Sequence, residues 1–160
     1  MADAKNLKQA RAVYSTLCEM LDDRSWHYNK DEEKLTISCG VRGDNMPISI
    51  RMKIDADRLL VMLFSQIDIE VPEDIRIEMA LAVTKVNYKL VNGCFDYSPA
   101  KGNLLFRLVS SVKDSLIGPD LLAYVLDVSC GTVDDYNHLF KKLADKEFTL
   151  SEFFATVDED

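Results

Sequence analysis

A chain of 160 residues, 48% of them hydrophobic, has the size of one domain and enough apolar side chain to bury a core without metals or disulfides. With 27 acidic against 19 basic residues the formal net charge is -8, so a nucleic-acid backbone and an anionic membrane face both repel it overall. Nucleic acid and membrane are therefore excluded as expected partners, while plain solubility and a basic partner both fit the charge.

Met1 to Arg11 carries Lys5, Lys8 and Arg11 but no apolar stretch, and no run of about 18 apolar residues occurs anywhere. The expectation is a soluble cytoplasmic protein without a signal peptide. Cys18, Cys39, Cys94 and Cys130 lie far apart, with no C-x-x-C pair and no histidine at ligand spacing, so they read as buried reduced thiols.

In chain order, Leu7, Ala10, Tyr14, Leu17, Cys18 and Leu21 recur at helical intervals and predict an amphipathic helix ending near Asp22 to Ser25. Trp26-His27-Tyr28 reads as a short aromatic strand, followed by a polar turn from Asn29 to Glu33. Leu35, Ile37, Cys39 and Val41 then alternate with polar residues. After the turn Arg42-Gly43-Asp44-Asn45, Ile48, Ile50, Met52 and Ile54 do the same, which predicts an antiparallel hairpin. The apolar run Leu59 to Phe64 reads as a fourth strand, lying centrally or covered on both faces.

Val71-Pro72-Glu73-Asp74 starts a helix that runs to about Val91 and ends at Asn92-Gly93. It carries two apolar stripes: Ile75, Met79, Ala82, Val83, Val86 and Leu90 on one side, Ile77, Leu81, Tyr88 and Val91 on the other. A one-sided sheet covers only one of them, so either a further layer of the same chain or a second subunit meets the other. Ile77, Leu81, Tyr88 and Val91 are the candidate partner or dimer interface.

Cys94 to Tyr97, the turn Ser98 to Asn103, and Leu104 to Val112 form a second hairpin. A long helix from about Asp120 to Ala144 follows, with Leu122, Val125, Leu126, Ser129, Val133, Tyr136, Phe140 and Leu143 on one face despite Gly131. Thr149-Leu150-Ser151-Glu152 has capping-box spacing for a short terminal turn before Phe153 and Phe154.

The fold class is α+β: an antiparallel sheet with N-terminal, central and C-terminal helices packed on it, in the order α-β-β-β-β-α-β-β-α. Residues 1–157 read as one domain and 158–160 as a frayed acidic tail.

No catalytic, cofactor or metal site is predicted. His27 and His138 have no nucleophile motif beside them, the glycine-rich nucleotide loops are absent, and the paired carboxylates at Asp22-Asp23, Asp31-Glu32-Glu33, Glu73-Asp74 and Asp134-Asp135 fall in turns or polar faces. Trp26 and Tyr28 suit either packing at the sheet edge or an exposed patch for a partner.

Val71-Pro72-Glu73-Asp74 through Asn87-Tyr88-Lys89-Leu90, then Gly93-Cys94-Phe95-Asp96-Tyr97 and Gly102-Asn103-Leu104-Leu105-Phe106-Arg107, resembles the YbjN-like or bacterial sensory transduction regulator family. Leu116-Ile117-Gly118-Pro119 and the long helix through Asp135-Tyr136 and Leu143 extend the resemblance over nearly the whole chain. In Thr84-Lys85-Val86-Asn87 only Asn87 of the family's paired small polar residues is kept. The resemblance implies a fold akin to type III secretion chaperones, binding of polypeptides or other proteins, often as a homodimer, and no catalytic residues to carry over.

The reading that follows is a non-catalytic, chaperone-like or regulatory protein-binding module. The alternative is a small-ligand sensor with a pocket between sheet and helices, lined by Trp26, Phe64 and Phe106.

Overall fold

The computed structural model describes residues 3–115 and 117–159. Leu116, one position of the resemblance, and Asp160, the last of the expected tail, lie outside them.

Helix α1 (Ala4–Asp23) starts where the Asp3 carboxylate accepts a hydrogen bond from the Asn6 backbone N–H at 2.7 Å. It buries Ala10, Val13, Tyr14, Leu17, Met20 and Leu21. Six strands follow the order in which the sequence places them: β1 (Asn29–Asp31), β2 (Thr36–Arg42), β3 (Pro47–Asp55), β4 (Leu60–Ile67), and, after the central helix, β5 (Cys94–Ser98) and β6 (Asn103–Ser111). They form one antiparallel sheet, ordered β1-β2-β3-β4-β6-β5. A 3-10 turn (Glu73–Ile75) leads into α2 (Arg76–Lys89), and α3 (Pro119–Ala144) and α4 (Leu150–Glu159) complete the chain.

The helices lie on a single face of the sheet, which the strand alternation records. Ile48, Ile50, Met52 and Ile54 of β3 are buried, whereas Pro47, Ser49, Arg51 and Lys53 are exposed. β4 is central, as expected, but not covered on both faces: Val61, Leu63 and Ile67 point into the core, while Met62 and Phe64 are only half-buried on the helix-free side.

The first strand begins three residues later than Trp26-His27-Tyr28. The reason is local: the Trp26 N–H donates to the Leu21 carbonyl, and the Tyr28 hydroxyl donates to Asp22 Oδ1 at 2.9 Å and to the Cys18 carbonyl. The aromatic trio is thus tied back to the end of α1, and pairing starts at Asn29↔Ser38.

The capping box at Thr149 is present, with Thr149 N–H and Oγ1 donating to Glu152 Oε2 at 2.8 Å and the Glu152 N–H donating to Thr149 Oγ1. It opens a ten-residue helix rather than a short turn, because Phe153 and Val157, one turn apart, both reach the core. The helix continues through Asp158 and Glu159, and Asp158 pairs with Lys85 at 2.5 Å.

α2 stops at Lys89, short of the expected Val91, because Leu90 already has extended backbone (φ -72°, ψ 132°). Gly93 has a φ of +76°, and a Cβ there would run into the Phe106 ring, so its left-handed turn carries the chain into β5 close over that ring.

Candidate protein-binding surfaces

Alanine-sized and branched residues on the inner side of α2, Met79, Ala82, Val83 and Val86, are buried against the sheet and α3. The opposite stripe is left largely uncovered by the described residues, and Val91, expected to belong to it, lies just past the helix end at Lys89. Ile77 is 70% exposed, Leu81 49%, Tyr88 91% and Val91 94%. α4 packs along the flank between the two stripes, where Lys85 reaches over the Phe154 ring and the Lys89 ammonium donates to the Val157 carbonyl. The stripe extends toward α3, since the Asn92 amide donates to the Tyr124 hydroxyl and Tyr124 is itself 47% exposed.

The two sheet edges differ. At β5, the Asn87 side chain reaches across from α2 and imitates a neighbouring strand: its Oδ1 accepts from the Phe95 N–H at 2.8 Å and its Nδ2 donates to the Phe95 carbonyl at 2.9 Å. That edge is therefore capped near its start, at Phe95. At the other edge β1 pairs only with Thr36 to Ser38, leaving β2 from Cys39 to Arg42 without a neighbour on that side among the described residues.

The helix-free face of the sheet carries Met62, Phe64 and Leu105, flanked by Arg51, Lys53 and Arg107. Arg107 is committed: its guanidinium donates to both carboxylate oxygens of Asp96, at 2.6 and 3.1 Å, and holds that carboxyl below the usual range. Arg58 is likewise clamped by Asp55, through Nε at 2.9 Å and Nη2 at 2.7 Å.

Trp26, Phe64 and Phe106 do not converge. Phe106 is fully buried in the core, Phe64 sits on the other face of the sheet, and Trp26 lies under the Arg24 guanidinium near the end of α1. His27 is exposed, and His138 is partly buried on α3. Among the described residues no three potential metal ligands gather, and no helix is long and apolar enough to cross a membrane.

The four cysteines are unpaired. Burial pushes the Cys130 thiol up to about 12, with further rises from neighbouring Cys39 and Asp127, and burial alone raises Cys39. Both are thus expected to resist iodoacetamide in the folded protein at mildly alkaline pH and to react once it is denatured. Mass spectrometry of the alkylated chain checks this, and rapid native labelling at either position would contradict the packing described.

Arg51 and Lys53 were not singled out by sequence reasoning, and Phe64 was expected to line a pocket between sheet and helices rather than to stand on the helix-free face. The available signal is the period of two in β3, which places both cations on one side of the sheet.

The architecture is that of an α+β domain, a one-sided antiparallel sheet backed by N-terminal, central and C-terminal helices. The sequence matches no protein-family model, and no curated protein matches it significantly. Solved structures do share the fold. YbjN from E. coli, a protein proposed to be a transcription regulator, superposes with a TM-score of 0.56 at 13% identity, over 78% of this chain and 90% of that one. A structure of the HopA1-SchA chaperone-effector complex matches with a TM-score of 0.57 at 12% identity, over 89% of this chain and 99% of the other. The ExsC-ExsE complex gives a TM-score of 0.56 at 11% identity, over 81% and 94%. The YbjN-like, chaperone-like fold implied by the sequence resemblance is therefore present.

Proposed function

We propose that this protein is a non-catalytic, chaperone-like or regulatory module that binds other proteins, in the cytoplasm and as a homodimer. The observation that carries the proposal is the uncovered stripe Ile77, Leu81 and Tyr88 on α2, continued by the exposed Val91 just past the helix end. Large apolar side chains gathered on one helix face, rather than scattered singly, are the usual mark of an interaction surface. Two of the proteins sharing this fold are known as complexes, one of them a chaperone with its effector, which supports a binding role for the architecture.

A second copy of the chain is the occupant we assign to this stripe, because an isologous contact between two α2 helices buries like against like without requiring charge complementarity. Light scattering should then give the mass of two chains for the wild type and one chain for a variant carrying Leu81→Glu and Tyr88→Glu. Both positions are exposed, so the unfolding free energy of the isolated fold should change little, within about 0.5 kcal/mol per substitution. A wild-type mass of one chain, or an unchanged mass in the variant, would remove the interface. Affinity capture from the native host that reproducibly recovers no protein would count against the binding role itself.

A further inference from the structure

The helix-free face of the sheet holds a trough of about 840 Å³, floored by Met62, Phe64 and Leu105. Its lining includes Arg51, Lys53 and Arg58 and no Asp or Glu. In a chain with 27 acidic and 19 basic residues, a groove lined by three cations and no carboxylate is opposite in sign to the molecule that carries it.

The cations are not equivalent. Arg58 is neutralised by Asp55, and Arg107, across β4 from Arg51, is neutralised by Asp96. Both Arg51 and Lys53 are exposed, and neither is clamped by a carboxylate as Arg58 and Arg107 are, although Lys53 lies near enough to Asp55 to help hold that carboxyl below its usual range. The sheet register sets Arg51 directly beside Phe64 and Lys53 directly beside Met62. Each of these cations therefore has an apolar side chain as its immediate neighbour. The two stand two residues apart on one strand, roughly 6.6–6.8 Å.

From this arrangement we propose that the open sheet face docks an acidic polypeptide segment, with carboxylates on Arg51 and Lys53 and an interleaved apolar side chain on Phe64 and Met62. The proposal rests on the protein-binding reading above and names the chemistry of one partner. Two features favour a peptide. Among the described residues lining the trough, just Arg51 and Lys53 are not clamped by a carboxylate, too few to offset a nucleic-acid backbone carrying a charge every ~1.7 Å against a chain of net charge -8. The apolar floor flanked by a pair of separated cations also suits alternating carboxylate and apolar side chains better than a single charged head. At physiological ionic strength charges beyond about 8 Å are largely screened, so the local pair, rather than the net charge, decides what docks.

The test uses two fluorescently labelled dodecapeptides, one alternating Glu with Leu and Phe, the other with Lys in place of each Glu, titrated with the full chain and followed by anisotropy. The acidic peptide is expected to bind at least about tenfold more tightly than the lysine peptide, and the double variant Arg51→Glu, Lys53→Glu is expected to reverse that order. Equal binding of the two peptides, or binding unaffected by the charge reversal, would overturn the proposal. So would full displacement of the acidic peptide by laurate at equimolar concentration, which would mark the trough as a site for single-headed amphiphiles. If proteins captured from the host are lost with Leu81→Glu and Tyr88→Glu but retained with Arg51→Glu and Lys53→Glu, this proposal fails while the protein-binding reading stands.

Discussion

Phe95→Ala is expected to destabilise the protein by about 3–5 kcal/mol, the range for removing a large buried aromatic side chain. Phe95 is 2% exposed and meets three rings edge-on: Phe106 at 5.2 Å between centroids, Phe140 at 5.0 Å and Tyr136 at 6.1 Å. Phe140 in turn stacks on Phe153 at 5.5 Å, so one side chain joins β5 and β6 to α3 and, through it, to α4. Truncation removes the transfer free energy of the ring and leaves a cavity whose walls, drawn from four elements, cannot all move inward together. At roughly 2–4 °C per kcal/mol for a chain of this size, thermal unfolding should shift down by about 6–20 °C. His27→Ala is the control: an exposed side chain outside the proposed interface should change stability by no more than about 0.5 kcal/mol. A Phe95→Ala loss below about 1 kcal/mol would mean that the aromatic cluster is not the joint described.

How far such features can be read from sequence depends on whether they are periodic. Ile37, Cys39 and Val41 against Ile48, Ile50, Met52 and Ile54 announce a half-buried hairpin, because the strand period separates core from solvent residue by residue, and the register agrees. The two stripes of α2 are separable for the same reason, since Met79, Ala82, Val83 and Val86 occupy a different arc from Ile77, Leu81 and Tyr88. Leu59 to Phe64 has no such contrast. Apolar residues at successive positions say nothing about which face is covered, so the exposure of Met62 and Phe64, and with it the trough, was hidden. Trp26 to Tyr28 misled because β-propensity yielded to hydrogen bonds back to α1, a tertiary preference.

Asn87 shows a further limit, because its role depends on a backbone eight residues away that only the fold brings alongside. Asn87→Leu is expected to cost about 2–4 kcal/mol, since both the N–H and the carbonyl of buried Phe95 lose their partner while the leucine supplies none. Asn87→Asp should fall between it and the wild type, at about 1–2 kcal/mol: a carboxylate still accepts from the Phe95 N–H but offers the carbonyl no donor. The ordering, measured by urea denaturation, separates the hydrogen-bonding role from simple packing, because loss of packing alone would make the isosteric Asn87→Asp indistinguishable from the wild type. The leucine variant also uncaps β5 at Phe95, and an exposed strand edge invites pairing with another chain. It should therefore associate in a concentration-dependent way in sedimentation experiments even where it remains folded. If instead Asn87→Leu stays as stable and as dispersed as the wild type, water serves Phe95 equally well and the β5 edge is open. On the proposal made above, the bonds from Asn87 disfavour strand addition at this point of β5 and leave the cationic face of the sheet as the docking surface for a polypeptide partner.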